Sequence, residues 1–446
     1  MKIALLGPFT GPMLAGAFAF PDTQKLPPGY PGAPLMTVLA LALVERGHEV
    51  AAITTDYSTP IGELEPFRAF QGQGIRAYFC PQRPRSFRSA YGRRGRALDF
   101  FRYERDGLRA AIADFAPEVI HAHWTYEFVW AALDSGVPTL ATAHDSPLKV
   151  VRFTPNLYRL FRYFMARRVL ARCKHLSAVS PDLERDLRHL APAKIEVVAN
   201  PIANDILRSP GAVPQAFDSK SLMMVLNGWT DLKNGATALH AFHLARQRDP
   251  QLRLTCFGSG FEPDGEAQRW AAGKGFTANV EFRGPTPHPL ILEKMRTSMA
   301  LLHPSRWEAC CMSIAEAMSV GLPVIAGRAT DGVPWQLDDG RAGVLTDVTD
   351  AAATAEAIVA LSRDRARWQQ ISAAARTRAQ DLFAVDPVVE RYLSLYAAVR
   401  QAAPAGNARA SAIAGAGTGA GTGAGTTTGA AAPRNEASRA AAPTTH

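Results

Sequence analysis

The chain has no run of about 18 apolar residues, the length a membrane-spanning helix needs, although apolar types make up 47% of its 446 residues. It has material for two substantial cores and no evident spanning segment. Its start, MKIALLGPF, carries one Lys and an apolar run broken at Gly7-Pro8, which reads as a first strand rather than a secretory signal. Cysteine is scarce. The five residues, Cys80, Cys173, Cys256, Cys310 and Cys311, show no metal-ligand spacing, and an odd number makes a poor disulfide framework. A reduced, cytoplasmic setting fits both absences. The first turn lacks G-x-G-x-x-G, which speaks against a dinucleotide enzyme. No RNA- or DNA-binding motif appears and the arginines are dispersed. The formal charge of +9 therefore points to nucleotide diphosphates or an acidic lipid surface rather than to nucleic acid.

What is present centres on residues 303–334, HPSRWEACCMSIAEAMSVGLPVIAGRATDGVP. Glu308 and Glu316 stand eight positions apart. Ala309, Ala315, Ala317 and Met318 favour helix, and Gly321 with Pro323 stops it. LPVIAG then reads as a buried strand and Gly-Val-Pro as a tight loop. A loop Glu, a helix N-terminus and a helical Glu would form one ligand site, with N–H groups for phosphate and carboxylates for sugar hydroxyls. A plainer reading stands beside it. Ser305 to Glu308 and Ser313 to Glu316 both match the capping-box pattern, so either Glu would merely finish a helix. On one shared helix the two would lie about 12 Å apart and roughly 80° around, a poor catalytic pair.

The order H-P-S-x-x-E-x7-E-A-M-x-x-G-x-P-V-I-A resembles the signature of the retaining glycosyltransferases of family 4, which have the GT-B fold. The resemblance implies an α/β protein of GT-B architecture, two Rossmann-like domains with a cleft between them. It implies that Glu308 holds the donor sugar and Glu316 the nucleotide ribose. Cys311, Met312 and Ser313 then stand at the helix start beside the diphosphate, with Cys311 where a Gly is common.

Along the chain, KIALLGPF, LMTVLALALVERG and HEVAAITT read as strand, helix and strand around a long Pro/Gly-rich loop, residues 7–34. Within that loop the resemblance carries over Gly32, against donor phosphate or acceptor. Arg83 to Arg109 holds nine arginines and three acids among aromatics, and reads as a solvated loop followed by a surface helix, with an acceptor- or membrane-facing patch as the alternative. PEVIHAHW ends a strand with His121 and His123, and VPTLATAHD ends another with His144. The resemblance assigns His144 to the donor sugar, His123 is the second choice, and His121 reads as structural. Residues 152–174 carry seven basic side chains and no acid, a segment that peripheral membrane contact would use. At 100° per residue, however, the arginines spread around much of the helix.

Residues 1–202 thus form an acceptor-side domain, 203–219 a linker, 220–385 a nucleotide-sugar domain, and 386–402 a helix crossing back. Residues 403–446, rich in Ala, Gly and Thr, lack the apolar side chains that offset ordering entropy and read as disordered. SLMMVLNGW opens the second domain and leads to Thr230-Asp-Leu-Lys233-Asn234. The family motif there is Gly-Arg-x-x-x-x-Lys, which clamps the diphosphate. Lys233 matches and Asn234 follows it, while Trp229 replaces the Arg, leaving Arg306 or Arg328 to compensate.

The implied reaction moves a sugar from a nucleotide-diphosphate-sugar to an acceptor hydroxyl with retention. Catalysis falls to Glu308 and His144, with no metal and no cofactor beyond the nucleotide-sugar co-substrate. A glycan or lipid-linked acceptor is expected, in polysaccharide or glycolipid assembly at the inner face of the membrane. The rival reading, carried by Trp229, is a GT-B scaffold or donor-binding protein with little or no turnover.

Overall fold

A computed structural model of the chain describes residues 1–18, 25–62, 65–211 and 213–402. The tail from 403 lies outside these residues, as does part of the long first loop. Alternating strand and helix patterns build two lobes around parallel sheets. The N-terminal sheet contains β1 (Lys2–Leu6), β2 (Glu49–Asp56), β3 (Arg68–Gln71), β4 (Ile75–Pro81), β5 (Val119–His123), β6 (Thr139–Ala143), β7 (Leu176–Ala178) and β8 (Ile195–Val197). Their order is β3-β4-β2-β1-β5-β6-β7-β8, with β3 antiparallel to β4 and the rest parallel. Strands covered on both faces need no polar alternation, and every residue of β5 and β6 is buried. The helices that bear on the site here are α1 (Pro34–Glu45), α2 (Arg102–Phe115) and α3 (Leu157–Leu170).

The C-terminal sheet contains β9 (Ser221–Val225), β10 (Arg253–Phe257), β11 (Val280–Gly284), β12 (Ala300–His303), β13 (Val324–Gly327) and β14 (Val344–Thr346), in the order β11-β10-β9-β12-β13-β14. Counted within the lobe this is 3-2-1-4-5-6, the doubly wound order, which reverses between β9 and β12. Its helices include α4 (Gly235–Arg248) and α5 (Met312–Ser319). The last described helix, α6 (Val385–Gln401), returns to the N-terminal lobe. It buries Val388, Val389, Tyr392, Tyr396 and Val399 in the cluster that holds Ile3, Leu5 and Leu39. Each such side chain stabilises the contact by about 1.5–3 kcal/mol. Tyr396 Oη also meets buried His121 Nδ1 at 2.7 Å, and His121 Nε2 meets Thr142 Oγ1 at 2.6 Å.

Two segments differ from their sequence reading. Arg83 is not a solvated loop residue. It is 3% exposed, donating to Glu104, itself 0% exposed, at 2.7 Å and to Asp99 at 2.8 Å. Composition suggested exposure, but each charge finds an opposite one, which removes the penalty of burying it alone. The basic stretch 152–174 breaks after a short helix, Pro147–Phe153, and resumes as α3 with Asn156 accepting from the Arg159 N–H. Arg162 turns inward to Glu127, so the exposed face carries Leu157, Leu160 and Phe164 and then Arg167 and Arg168. Residues 203–219 include a helical turn, Asn204–Leu207, whose Ile206 and Leu207 are buried beside Met318 and Phe383. Among the described residues no helix is long and apolar enough to cross a membrane.

Candidate active site

In an open parallel sheet, ligands bind beyond the strand C-termini where the strand order reverses. The loops leaving β9 and β12 occupy that place in the C-terminal lobe. The first brings Lys233 and the second Glu308, and Lys233 Nζ donates to Glu308 Oε1 at 2.7 Å. His303 Nε2 lies 3.4 Å from the same oxygen, while its Nδ1 faces Cys311 Sγ at 3.9 Å. Burial disfavours the Glu308 carboxylate, but Lys233 and His303 outweigh it and hold its pKa at about 2. Burial likewise opposes a charge on His303, and Cys311 and Glu308 raise it to about 9. At neutral pH the loop therefore presents ammonium, carboxylate and imidazolium side by side.

His303, Glu308 and Cys311 are also the one group among the described residues with metal-ligating atoms within 4.8 Å of one another. Cys311 and Glu308 address opposite ring nitrogens of His303, and Lys233 already holds the carboxylate. One ion cannot use both faces of an imidazole, so this arrangement fits an ion-pair network better than a metal centre.

Glu308 precedes α5 and Glu316 lies within it, so the shared-helix geometry does not occur. Glu316 Oε1 meets His288 Nε2 at 3.0 Å. Neither Ser305 nor Ser313 caps a helix here. Cys311 is the N-cap, its N–H donates to Gln336 Oε1 at 2.8 Å, and Gln336 Nε2 donates back to the Cys311 carbonyl at 3.1 Å. That clamp fixes the helix start and leaves the N–H groups of Met312, Ser313 and Ile314 without helical acceptors. Ser313 Oγ is 3.2 Å from Cys311 Sγ, and the Met312 side chain packs against core clusters of both lobes.

Asn234 uses its side chain within the fold. Its amide donates to the carbonyls of Pro304 and Val348 at 3.1 and 2.7 Å, and its oxygen accepts from Thr237. It ties the Lys233 loop to the Glu308 loop. Trp229 turns into an aromatic cluster, with ring centroids 5.6 Å from Phe261 and 5.4 Å from Trp270. Gly260 has φ +88°, and a Cβ there would come within 2.8 Å of the Trp229 nitrogen, so the close turn needs glycine. Arg306 reaches the same place through its backbone, whose N–H donates to the Leu232 carbonyl at 2.9 Å, while Arg328 is exposed.

The N-terminal lobe reverses its strand order between β1 and β5. His123 follows from β5 and His144 from the end of β6, and His123 Nδ1 meets His144 Nε2 at 2.9 Å. His144 stacks on Trp124 at 4.1 Å. Burial lowers its pKa to about 3 and lowers that of His123 as well, so both rings are neutral at pH 7. His123 Nε2 is buried without a hydrogen-bond partner. Gly32, at φ +101° and exposed, has open space around it. Among the described residues no hydrogen bond or ion pair joins the histidine pair to the Glu308 group. The lobes meet, among other places, through residues 307–310. Ala309, with Trp307 and Cys310 against it, belongs to the N-terminal core, and Cys311 to the C-terminal one. Glu308 thus sits on the seam. Lys149 crosses it too, pairing with Asp331 and, at 2.8 Å, with Asp186.

Sequence reasoning missed the parts played by His288, Gln336 and Lys149, each set by a partner 25 or more residues away. His303 opened the motif and could have been singled out from it.

Two doubly wound lobes meeting at such loops define a GT-B glycosyltransferase. Similar folds are sucrose-phosphate synthase from Thermosynechococcus elongatus, with a TM-score of 0.69 at 19% identity over 90% of this chain and 99% of that one. Anabaena HepE in complex with UDP and glucose gives a TM-score of 0.64 at 17% identity, covering 89% of this chain and 100% of that one. Residues 35–205 match the family model Glycosyltransferase Family 4, and residues 214–378 match Glycosyl transferases group 1. N-acetyl-alpha-D-glucosaminyl L-malate synthase of Bacillus anthracis is 22% identical over 378 residues, 81% of this chain and 92% of that relative. D-inositol 3-phosphate glycosyltransferase of Streptomyces avermitilis is 30% identical over 145 residues, 32% of this chain and 31% of that relative. The chain belongs to glycosyltransferase family 4, and it is a glycosyltransferase.

Proposed function

We propose that the chain transfers a sugar from a nucleotide-diphosphate-sugar to an acceptor hydroxyl with retention at the anomeric carbon. The Lys233–Glu308 ion pair beside the start of α5 carries this reading. Transfer separates a diphosphate from a developing oxocarbenium ion. The phosphate side then needs positive charge and N–H donors, which Lys233 and the first turn of α5 supply. The sugar side needs hydroxyl acceptors, which Glu308 supplies, and Glu316 takes the ribose hydroxyls. His144, neutral and braced by Trp124 and His123, offers a ring nitrogen to the sugar from the other lobe, and Gly32 leaves room for phosphate or acceptor. The acceptor attacks from the leaving-group face, and the diphosphate takes its proton. The UDP and glucose named for the HepE complex support a nucleotide-sugar donor. The malate and inositol phosphate in the relatives' names support a small hydroxylated acceptor as readily as a lipid-linked glycan.

The test is a thermal-shift panel of UDP, GDP, ADP and their common sugars on wild type and Glu316→Ala. One nucleotide raising the wild-type midpoint, with a smaller rise in the variant, is the expected outcome. No shift with any of them would favour the scaffold reading. Hydrolysis of the chosen donor without acceptor then measures turnover, and Glu308→Ala should abolish it.

A further inference from the structure

The buried guanidinium groups around this wall of the N-terminal lobe come with carboxylates. Arg83 has Asp99 and Glu104, Arg162 has Glu127 at 2.8 Å, and Arg105 has Asp134 at 3.2 Å. Arg96 departs from the pattern. It is largely buried, yet no carboxylate among the described residues lies within ion-pair reach of it. One Nη donates to Tyr57 Oη at 2.9 Å and to the Arg83 carbonyl at 2.6 Å, while Nε is buried with no partner. Among the described residues its one side-chain hydrogen-bond partner is the Tyr57 phenol, and the phenols of Tyr158 and Tyr30 are near enough to act on its charge. Its guanidinium lies 5.4 Å from the centre of the Tyr57 ring and 5.7 Å from that of Phe101.

An unpaired buried charge is costly, and the usual remedy is a counter-ion. The free edge here is the right one. Nε and the second Nη form the fork that holds a carboxylate or phosphate in a bidentate way. Tyr57 Oη already accepts from Arg96 and, at 3.0 Å, from Gln82 Nε2, so its own O–H is left to donate outward, and Tyr57 is 47% exposed. The contributing residues come from four connections at the C-terminal edge of the sheet. Tyr30 follows β1, Tyr57 follows β2, Arg96 follows β4, and Tyr158 lies on α3 beyond β6. Gly32 is two residues from Tyr30.

We infer that Arg96 and Tyr57, with Tyr30 and Tyr158 nearby, form an oxyanion subsite that selects an acceptor carrying a phosphate or carboxylate near its hydroxyl. The inference rests on reading this lobe as the acceptor side. It deepens that reading by naming a class of acceptor, the phosphorylated polyol or hydroxy acid, free or borne on a lipid.

Calorimetric titration of the full chain with myo-inositol 1-phosphate, L-malate and uncharged myo-inositol tests it, on wild type, Arg96→Met and Tyr57→Phe. Phosphatidylcholine vesicles with and without phosphatidylinositol supply the lipid-borne arm. At least one charged probe should bind wild type about tenfold or more tightly than its neutral counterpart, and Arg96→Met should erase that preference. A preference seen with soluble probes assigns a free acceptor, and one seen only with phosphatidylinositol vesicles assigns a lipid-borne one. Equal binding of charged and neutral probes, no binding of any, or a preference that survives in Arg96→Met overturns the subsite. Should Arg96→Met fail to fold, Tyr57→Phe gives the same reading with the guanidinium in place. The wild-type nucleotide shift reports the other lobe. Its absence would sink the transfer reading, whereas its presence without charge preference would sink the subsite alone.

Discussion

Trp229 stands where the motif this segment resembles has an arginine, and its surroundings say why simple restoration should fail. The indole belongs to a cluster with Phe261 and Trp270, and a Cβ on Gly235 would come within 2.8 Å of its ring. Trp229→Arg places a charge against those rings and gives up their aromatic packing, a destabilising exchange. The expected result is a lower melting midpoint with no gain in donor turnover. Higher kcat at an unchanged midpoint would refute it. His303 gives a pH signature at the same scale. The fold raises its pKa from 6.5 to about 9, so its stabilisation is full below about pH 6.5, declines above that, and is gone past about 9. Glu308 works the other way, lowered from 4.5 to about 2, so its contribution is full above about pH 4.5 and lost as pH falls toward 2. The wild-type midpoint should fall between pH 6.5 and 9, and His303→Gln should flatten that limb. Equal slopes would remove His303 from the ion-pair network.

At the scale of elements, α3 is where sequence and structure part most usefully. A helical wheel spreads its arginines around the axis, but the wheel cannot know that Arg162 has a buried Glu127 to meet. With that residue turned in, Leu157, Leu160 and Phe164 are left outward at 57%, 41% and 52% exposure, and Leu148 adds 61% from the preceding helix. An apolar stripe continued by Arg167 and Arg168 suits an anionic lipid surface. Co-sedimentation with phosphatidylglycerol vesicles should therefore exceed that with phosphatidylcholine, and Leu160→Asp with Phe164→Asp should remove the difference. Retention unchanged by both substitutions would count against membrane contact through α3. The β1–α1–β2 opening and the α5–β13 region were legible because hydrophobic period and glycine stops agree with the fold there, although the expected serine caps do not form. Glu308 and Glu316 were legible because the motif fixes their order. The Gln336 clamp, the His288 partner and the unpaired Arg96 were not, since each depends on which distant loop arrives opposite, and no local pattern carries that.

At the scale of the whole chain, part of the contact between the lobes is polar and accessible, and such contacts are the ones a motion about the cleft would break. Residues 307–310 bridge the two cores with Glu308 among them, so any change in lobe spacing moves the carboxylate read here as holding the sugar. Lys149 is another bridge. Its ammonium is shared between Asp186 in its own lobe and Asp331 in the other, at 26% exposure against 22% and 23%. A pair this accessible is worth about 1 kcal/mol at most, a few-fold in an equilibrium between spacings. If the arrangement described here is the one that binds donor, Asp331→Asn should raise the donor KM by a few-fold while leaving kcat nearly unchanged. Lys149→Ala should act similarly, and the double substitution should be no worse than either single one, because both remove the same contact. Additive effects on KM would mean that the two residues act separately, and that lobe spacing is held by the Trp307–Cys310 loop rather than by this charge pair.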